Sequence, residues 1–499
     1  MTAGPVSASM LRDLWICERR LDLDLHADPA GRDPTSAFVR MLWRDGLAHE
    51  NEVLAGMAHG AVDLRALPRD ELETLTSSAM DARRPLILGA VILHEDLVGM
   101  PDLLVLEAAG YVAGDVKSGG ATSGPGGAYK TDYLLQVAHY AHILAATGRG
   151  AGDAAFIIDA QGCRTDYDLN LPYGRERLPG TQRHLDALAH ARAIRDRIVS
   201  ARGALSAQCG MCDWRGRCRR ELAEANDPTL VCGLGRSLRD AIGTTAATVR
   251  ELAALPRPVP GRATGIRGVG AERLARLIDR AALLDDADAG PVLRAPIALP
   301  DNPHAIDFDV EADPSRGIVY LHGFWHERRG EADGTFVHFF APTPDAAGER
   351  AAFAEAIAHF REHRAAHWFH YSAYERTSYR ALQRRHPNVC DEAEIDAIFD
   401  PVRCTDLYQI VTRSTDWPLG SYSIKSLAKA VGFDWEDADP GGANSIEWYD
   451  RHVREGDEAL RERIVAYNRD DVIASARVRA ALAELGATGR IAAFRRPAR

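Results

Sequence analysis

The feature that most restricts the fold of this chain is a change of character over residues 231–300. Helical patterns cover Leu238–Leu255 and Ala271–Leu284, and a proline-rich break over Pro256–Pro260 divides them. Alternating strand and helix patterns lie on both sides of this stretch, and 499 residues exceed what one hydrophobic core usually organises. We therefore expect two α/β domains joined by a helical connector. The expected domains are residues 1–230, 231–300 and 301–499.

The connector contains a motif for which the sequence leaves two structures open. Gly268-Val269-Gly270 directly precedes the second helical pattern. This resembles a helix-hairpin-helix, a module whose glycine-bearing turn presents backbone N–H groups to phosphates. A Gly-x-Gly before a helix is common, so an all-α connector without that module is the alternative.

Composition excludes several classes of protein. The chain is 46% hydrophobic and 26% charged, which is typical of soluble globular proteins. It has no apolar run long enough for a membrane span, and Met1–Met10 lacks the features of a signal peptide. We therefore expect a cytoplasmic protein without a membrane partner. The net charge of −11 argues against a general nucleic-acid coat protein, although basic clusters occur locally, as over residues 215–220.

The first candidate site lies where two predicted strands meet. Asp102 follows Gly99-Met100-Pro101, and Asp115 and Lys117 lie two apart, so their side chains share one strand face. Two carboxylates can hold Mg²⁺ or Mn²⁺, and a nearby lysine can stabilise charge developing on phosphate. Solvated strand ends joined by a turn would give the same pattern, so that alternative stays open here.

Neighbouring motifs make this pattern specific. His49-Glu50 lies in a predicted helix before the strands, and Gln136 and Tyr140 share one face of a helix after them. The whole series resembles the RecB-like branch of the PD-(D/E)xK nucleases, over about residues 1–230, and implies a restriction-endonuclease-like fold. By this resemblance the metal ligands are His49, Asp102 and Asp115, and the catalytic group comprises Lys117, Gln136 and Tyr140.

Eight cysteines in a cytosolic chain indicate metal binding rather than disulfides. Cys209, Cys212 and Cys218 are compactly spaced, and Cys17 lies far upstream; from spacing alone, four thiolates suit zinc or an iron–sulfur cluster. This layout around a RecB-like core resembles the iron–sulfur nucleases, including AddB-type helicase–nucleases and CRISPR-adaptation nucleases. The resemblance implies a structural [4Fe–4S] cluster, with zinc as the lesser alternative. Cys232 could replace one ligand. The remaining cysteines, which we interpret as ordinary thiols, are Cys163, Cys390 and Cys404.

The second candidate site begins on a strand rich in acidic residues. Asp309 and Glu311 share one face of this strand, but Asp307 shares it as well, so the register stays open. Near the end of the chain, Tyr467 and Asp471 lie four apart on a predicted helix and can point at the same centre. Two cations about 4 Å apart suit in-line phosphodiester hydrolysis, and a tyrosine can orient the attacking water.

This set resembles the DEDD-type, DnaQ-like exonucleases of the RNase H fold, close to the YprB-like branch, over about residues 301–499. Asp309 and Glu311 fit the first motif, and Tyr467 and Asp471 fit the third. Glu375 stands where the family usually has an aspartate, and it would have to serve as a metal ligand in its place. Asp406, in a segment that also resembles that branch, is a second-rank candidate. The resemblance implies a mixed sheet and 3′→5′ exonuclease activity on DNA or RNA.

Both halves in this order resemble a bacterial group of RecB-like nucleases whose longer members continue into a helicase. The sequence has no G-x-x-x-x-G-K-[ST] motif, so we expect no intrinsic ATP-driven unwinding and a separate helicase as partner. The sequence thus predicts a Mg²⁺- or Mn²⁺-dependent enzyme that cuts DNA with single-strand or end preference, in repair, recombination or defence. The alternatives are a nucleic-acid-binding scaffold with one or both centres inactive, and a zinc-stapled RNA-processing factor.

Overall fold

The chain forms two compact units, Met1–Glu221 and Leu222–Arg499. No helix within the described parts of the chain combines the length and hydropathy that crossing a membrane requires. A computed structural model describes residues 4–123, 127–174, 176–243 and 245–496.

The first unit mixes helices with short strands. Its helices are α1 (Ala8–Ile16), α2 (Glu18–His26), α3 (Ala37–Met57), α4 (Leu72–Asp81), α5 (Thr131–Ala146), α6 (Gly180–Arg195) and α7 (Arg215–Glu224), the last of which crosses the unit boundary. Its strands are β1 (Val6–Ser7), β2 (Val62–Asp63), β3 (Leu86–Leu88), β4 (Ile92–His94), β5 (Leu97–Gly99), β6 (Leu103–Glu107), β7 (Gly110–Val116), β8 (Thr122–Ser123), β9 (Ala128–Tyr129), β10 (Gly150–Ile158), β11 (Arg164–Asp168), β12 (Pro172–Tyr173) and β13 (Leu178–Pro179).

A six-stranded mixed sheet organises this unit, in the order β11-β10-β7-β6-β3-β2. β6 and β7 are antiparallel, whereas β7 and β10 run parallel and are joined through α5. A parallel pair needs such a crossover helix, and α5 buries most of its surface in the core. Gly114 is required on β7, because a Cβ there would lie 2.1 Å from Phe156 Cζ on the neighbouring strand. Gly114 therefore lets the Phe156 ring lie against β7, at the residue next to Asp115.

The second unit begins with helices and continues into a second sheet. Its helices are α8 (Arg236–Ile242), α9 (Val249–Ala253), α10 (Ala271–Asp285), α11 (Ala346–Glu362), α12 (Tyr374–Arg385), α13 (Glu392–Ile398), α14 (Leu407–Ser414), α15 (Ile424–Ala430), α16 (Gly442–Glu455) and α17 (Glu458–Thr488). Its strands are β14 (Val292–Leu293), β15 (His304–Asp313), β16 (Ile318–Arg328), β17 (Thr335–Phe340), β18 (His367–His370), β19 (Cys404–Asp406) and β20 (Thr415–Asp416).

The five-stranded sheet of this unit has the order β17-β16-β15-β18-β19. β17, β16 and β15 are antiparallel, and β18 and β19 add parallel strands beside β15. Each face of the sheet has its own hydrophobic core. Phe308 and Phe324 pack against α11, α12 and α13, whereas Tyr320 and Leu321 pack in a core formed with α14, α15, α16 and α17. β15 is therefore central, and both faces of it are covered.

Residues 231–300 belong to the second compact unit. α9 and α10 share a small core, and β14 pairs with β20 of the C-terminal region. The buried carboxylate of Asp416 on β20 accepts hydrogen bonds from Arg276, Arg280 and Arg294. The prediction of one helix over Leu238–Leu255 is wrong. α8 ends at Ile242, and a second helix, α9, begins after Thr248, whose hydroxyl accepts from Glu251 N and caps it.

Candidate metal centres

The packing of α17 against β15 determines which acidic residues of the strand can bind a metal ion. Asp307 is buried, and its carboxylate accepts hydrogen bonds from Ser475 Oγ at 2.9 Å and Arg479 Nε at 3.0 Å. Its charge is thus engaged by α17. Asp309 and Glu311, which follow on the same face, have no such arginine partner among the described contacts and lie beside Asp471.

Asp309, Glu311 and Asp471 form one group, whose nearest carboxylate oxygens lie within 4.8 Å of one another. Burial raises the pKa of all three carboxyl groups. Repulsion from neighbouring carboxylates raises the pKa of Asp309 and Glu311 further. A divalent cation bound by oxygen ligands would relieve this repulsion, so the group has the chemistry of a Mg²⁺ or Mn²⁺ site.

Glu375, in the first turn of α12, is placed against Asp309, and hydrogen bonding joins the two carboxyl groups. Burial raises the pKa of Glu375 to about 8. The pair therefore retains a proton at neutral pH when no cation is bound. His370 Nδ1 lies 3.3 Å from Glu375 Oε2, and burial lowers the pKa of this imidazole. A longer side chain thus reaches the position where an aspartate is usual.

Tyr467 and Lys425 form a hydrogen-bonded chain to Asp471. Lys425 Nζ donates to the Tyr467 hydroxyl at 2.9 Å, and that hydroxyl is hydrogen-bonded to Asp471. Burial and the neighbouring carboxylates raise the pKa of Tyr467 far above its usual range, so the phenol keeps its proton. Trp435 Nε1 donates to Asp471 Oδ1 at 2.7 Å, which fixes the carboxylate further. Sequence reasoning assigned no role to Lys425 or Trp435.

Asn468 is a further neighbour that sequence reasoning missed. Its Nδ2 donates to Asp309 Oδ2 at 3.0 Å. Gly323, which pairs with Asp309 across β15 and β16, leaves the space for this amide, because a Cβ there would lie 1.7 Å from Asn468 Oδ1. The signal available in sequence was only that Asn468 precedes Asp471 by one helical turn.

Asp406, the second-rank candidate, has a capping role. Its Oδ1 accepts from the backbone N–H groups of Tyr408, Gln409 and Ser372, at the start of α14 and after β18. These bonds satisfy N–H groups that a helix N-terminus leaves open. Its charge nevertheless helps to raise the pKa of Glu375.

The first unit brings Asp102 and Asp115 together through strand register. Leu103 on β6 pairs with Gly114 on β7, so the residues adjacent to this pair, Asp102 and Asp115, meet at one edge. Asp102 Oδ2 accepts from Val116 N at 2.7 Å. Burial and the charge of Asp115 raise the pKa of Asp102 far above its usual range.

Lys117 forms an ion pair with Asp115 at this edge. Burial lowers the pKa of Lys117, but the charge of Asp115 and the hydrogen bond to it outweigh burial, and the pKa is raised overall. The ammonium group therefore stays charged. It also lies over the ring of Tyr133, 5.7 Å from its centroid.

Glu50, rather than His49 alone, connects α3 to this centre. Burial and the charge of Asp115 raise the pKa of Glu50, and Glu50 in turn raises that of Asp102. His49 Nε2 lies 3.1 Å from the carbonyl oxygen of Asp159, just beyond the end of β10. The sequence indicated both His49 and Glu50, but only His49 was predicted as a metal ligand. The only sequence signal for Glu50 is its position next to His49 on the same helix.

Gln136 and Tyr140 on α5 are hydrogen-bonded, with Gln136 Nε2 donating to the Tyr140 hydroxyl at 3.1 Å. Tyr140 is buried beside Gly99, where a Cβ would lie 2.9 Å from its ring. Burial and the charge of Asp115 raise the pKa of Tyr140, so its hydroxyl stays protonated near the carboxylates.

Four predicted cysteine ligands line one cavity of about 390 Å³ in the first unit. Burial raises the pKa of Cys212 and raises that of Cys218 to about 12; the nearby Cys17 also raises both. Raised thiol pKa values favour the protonated form, and a bound metal would favour the thiolates. The lining thiols are those of Cys17, Cys209, Cys212 and Cys218.

Polar contacts also join the two chain segments that supply these cysteines. Arg19 donates to Glu221 Oε2 from Nε and Nη2, and Trp214 Nε1 donates to Asp24 Oδ1 at 2.9 Å. Cys232, which sequence reasoning kept as a substitute ligand, packs instead against the core of the second unit.

The fold and the two acidic centres together define a chain with two nuclease-type domains. Residues 15–219 match the model of the PD-(D/E)XK nuclease superfamily, and residues 306–483 match that of the RNase_H superfamily. The chain therefore carries a PD-(D/E)XK nuclease superfamily domain followed by an RNase H superfamily domain, and the predicted fold class is confirmed. The comparison with curated proteins finds no match. Both domains support a metal-dependent nuclease.

Proposed function

We propose that the chain hydrolyses phosphodiester bonds in DNA, with single-strand or end preference, through one divalent-metal centre in each unit. The observation that carries this proposal is the group of Asp309, Glu311 and Asp471, with ligand oxygens within 4.8 Å of one another. A bound cation would relieve the repulsion between carboxylates this close, and paired Mg²⁺ or Mn²⁺ ions suit in-line displacement at phosphorus.

In the second unit, the four carboxylates described above would hold the cations. When bound, the cations polarise the phosphoryl oxygens and lower the pKa of the attacking water. Tyr467 keeps its proton and is held beside Asp471 by Lys425, so its hydroxyl can orient that water. This arrangement supports a 3′→5′ exonuclease, on DNA or RNA. The proposed ligands are Asp309, Glu311, Glu375 and Asp471.

In the first unit, Asp102 and Asp115 would ligate Mg²⁺ or Mn²⁺, with His49 or the adjacent Glu50 completing the set. The charged Lys117 is placed to stabilise negative charge on the scissile phosphate. Gln136 and Tyr140 supply neutral donors beside it.

The cysteine cavity would hold a structural [4Fe–4S] cluster. Four thiolates can hold either a zinc ion or such a cluster, and the resemblance to the iron–sulfur nucleases favours the cluster. We further propose a helicase partner and a role in repair, recombination or defence. These two proposals rest on the family resemblance alone.

The test is cleavage of labelled single- and double-stranded DNA and RNA by the full chain with Mn²⁺. Asp115→Ala and Asp309→Ala should each remove one class of product, and the double variant should remove both; Asp333→Ala, at an exposed aspartate, should cleave like wild type. Substrates labelled at the 5′ or 3′ end assign polarity. If both single variants and the double variant retain full cleavage, contaminants are responsible and the proposal fails. Binding without cleavage by wild type would establish the scaffold alternative.

The cluster has a separate test in colour and metal content. Protein purified anaerobically should be brown and contain about four irons per chain. Cys218→Ser should lose this absorption, whereas Cys163→Ser, at an exposed thiol, should keep it. Colourless wild-type protein that contains zinc would exclude the cluster.

A further inference from the structure

Four histidines lie together in the second unit, and no step of the proposed hydrolysis uses them. His304 begins β15, His326 lies near the end of β16, His359 lies in the last turn of α11, and His363 caps that helix. Five residues of extended strand, about 17 Å, separate His304 from Asp309. The histidines are therefore outside the carboxylate centre.

Three of these imidazoles converge closely enough to share one ion. Ligand nitrogens of His326, His359 and His363 lie within 4.8 Å of one another. His326 Nε2 is 2.9 Å from His359 Nε2, and the rings of His359 and His363 have centroids 4.6 Å apart. His359 and His363 are four residues apart, so they project from one face at the end of α11.

His304 contacts His326 on the side that faces away from His359. Its Nε2 lies 3.0 Å from His326 Nδ1, which is the nitrogen of His326 that faces away from His359. When His326 Nδ1 carries the proton and donates it to His304, the lone pair of His326 Nε2 is left facing the other rings. Such an outer hydrogen bond is the usual way in which a ligating histidine is oriented.

The surroundings keep the rings of His326 and His359 neutral. Burial, followed by repulsion from the neighbouring imidazoles, lowers the pKa of His326 to about 3 and that of His359 to about 4. Neutral imidazole is the form that binds metal ions. The ring of His359 also packs against Phe324 and Trp368, so aromatic side chains surround the group.

We propose that His326, His359 and His363 bind a zinc ion and that His304 positions His326 for it. Imidazole nitrogens suit borderline divalent transition ions, whereas Mg²⁺ prefers the oxygen ligands of the carboxylate centre. Three histidines would leave the fourth position of a tetrahedral zinc to water. For zinc to bind, the proton between His326 Nε2 and His359 Nε2 would move to His359 Nδ1, and the ion would tie the end of α11 to β16.

The experiment compares zinc content and thermal stability of the full chain. Wild type, His363→Gln and the control His338→Gln, at an exposed histidine on β17, are stripped of metal, loaded with ZnCl₂ and freed of excess by gel filtration. Any zinc that binds the cysteines after the metal has been stripped is common to all three. Wild type and His338→Gln should retain one zinc per chain more than His363→Gln. Zinc should raise their melting temperature by more than it raises that of His363→Gln.

A second variant keeps the proposal falsifiable if His363→Gln does not fold. His304→Ala removes only the outer hydrogen bond and should weaken zinc binding at this site by about 10- to 100-fold, as measured by competition with a chelator. Equal zinc content in wild type and His363→Gln, or unchanged affinity in His304→Ala, would overturn the proposal.

Discussion

The substitution Glu375→Gln tests the electrostatics of the second centre directly. Glu375 is 3% exposed, and burial raises its pKa from 4.5 to about 8. Because each pKa unit corresponds to about 1.4 kcal/mol, ionising this group costs on the order of 5 kcal/mol in the metal-free protein. Glutamine has nearly the same shape and carries no charge, so it avoids that cost.

The sign of the effect follows from proton uptake. Between pH 4.5 and about 8 the folded protein keeps the Glu375 proton that the unfolded chain has lost, so wild-type stability falls as pH rises through this window. Below pH 4.5 both states are protonated, and the two proteins should be equally stable. Near pH 8 in EDTA, Glu375→Gln should be more stable by up to about 5 kcal/mol, or about 10 °C in melting temperature.

The assay is calorimetric unfolding at several pH values, with Glu462→Gln, at an exposed position of α17, as the matched control. Mn²⁺ should reduce this difference in stability, because ligand bound to the folded state at 100 times its Kd stabilises it by about 2.7 kcal/mol and the glutamine weakens that binding. Parallel pH profiles for wild type and Glu375→Gln in EDTA would refute the reasoning, since Glu375 would then titrate normally.

Further substitutions test other contacts of the second unit. Gly323→Ala should displace Asn468 from Asp309 and lower exonuclease kcat at least about 10-fold. The control Gly290→Ala, at an open position, should leave kcat unchanged. Unchanged kcat in Gly323→Ala would contradict the role of the Asn468 contact. Lys425→Met should move the acidic limb of the pH–activity profile to higher pH, because Lys425 lowers the pKa of Glu311 and Asp471. The control is Lys429→Met. If the acidic limb of Lys425→Met stays at the wild-type pH, Lys425 does not lower these pKa values. Asp416→Ala should destabilise the protein by about 1–3 kcal/mol in urea unfolding, because it removes the buried carboxylate that pairs with three partly exposed arginines, whereas Asp301→Ala should cost little.

Elements with strong local signals could be predicted from the sequence. The sequence pattern predicts strands over Thr335–Phe340 and His367–His370, and β17 and β18 have these bounds. It also predicts helices over Ser36–Gly60 and Ala347–His363, which are α3 (Ala37–Met57) and α11 (Ala346–Glu362). Both helices begin after a capping residue, so local preference and tertiary packing favour the same structure.

Contacts between distant segments could not be predicted in the same way. Asp307, Asp309 and Glu311 share one strand face in sequence, and only the position of Arg479 on α17 separates the paired aspartate from the available ones. The histidine cluster gave no motif apart from the four-residue spacing of His359 and His363, because strand register supplies its other members.

The acidic composition of the chain is compatible with a nucleic-acid substrate because of where part of the charge lies. Burial raises the pKa values of the carboxylates at each centre, and repulsion between them raises these values further. Divalent cations convert the same residues into sites that attract phosphate, so a net charge of −11 overstates the negative field that a substrate meets. Each centre also places one lysine beside its carboxylates: Lys117 from the same strand as Asp115, and Lys425 from a helix distant in sequence from Asp471. The lysine of each centre and the divalent cations that would bind there thus offset the charge of the same carboxylates. The net charge of the chain does not show this.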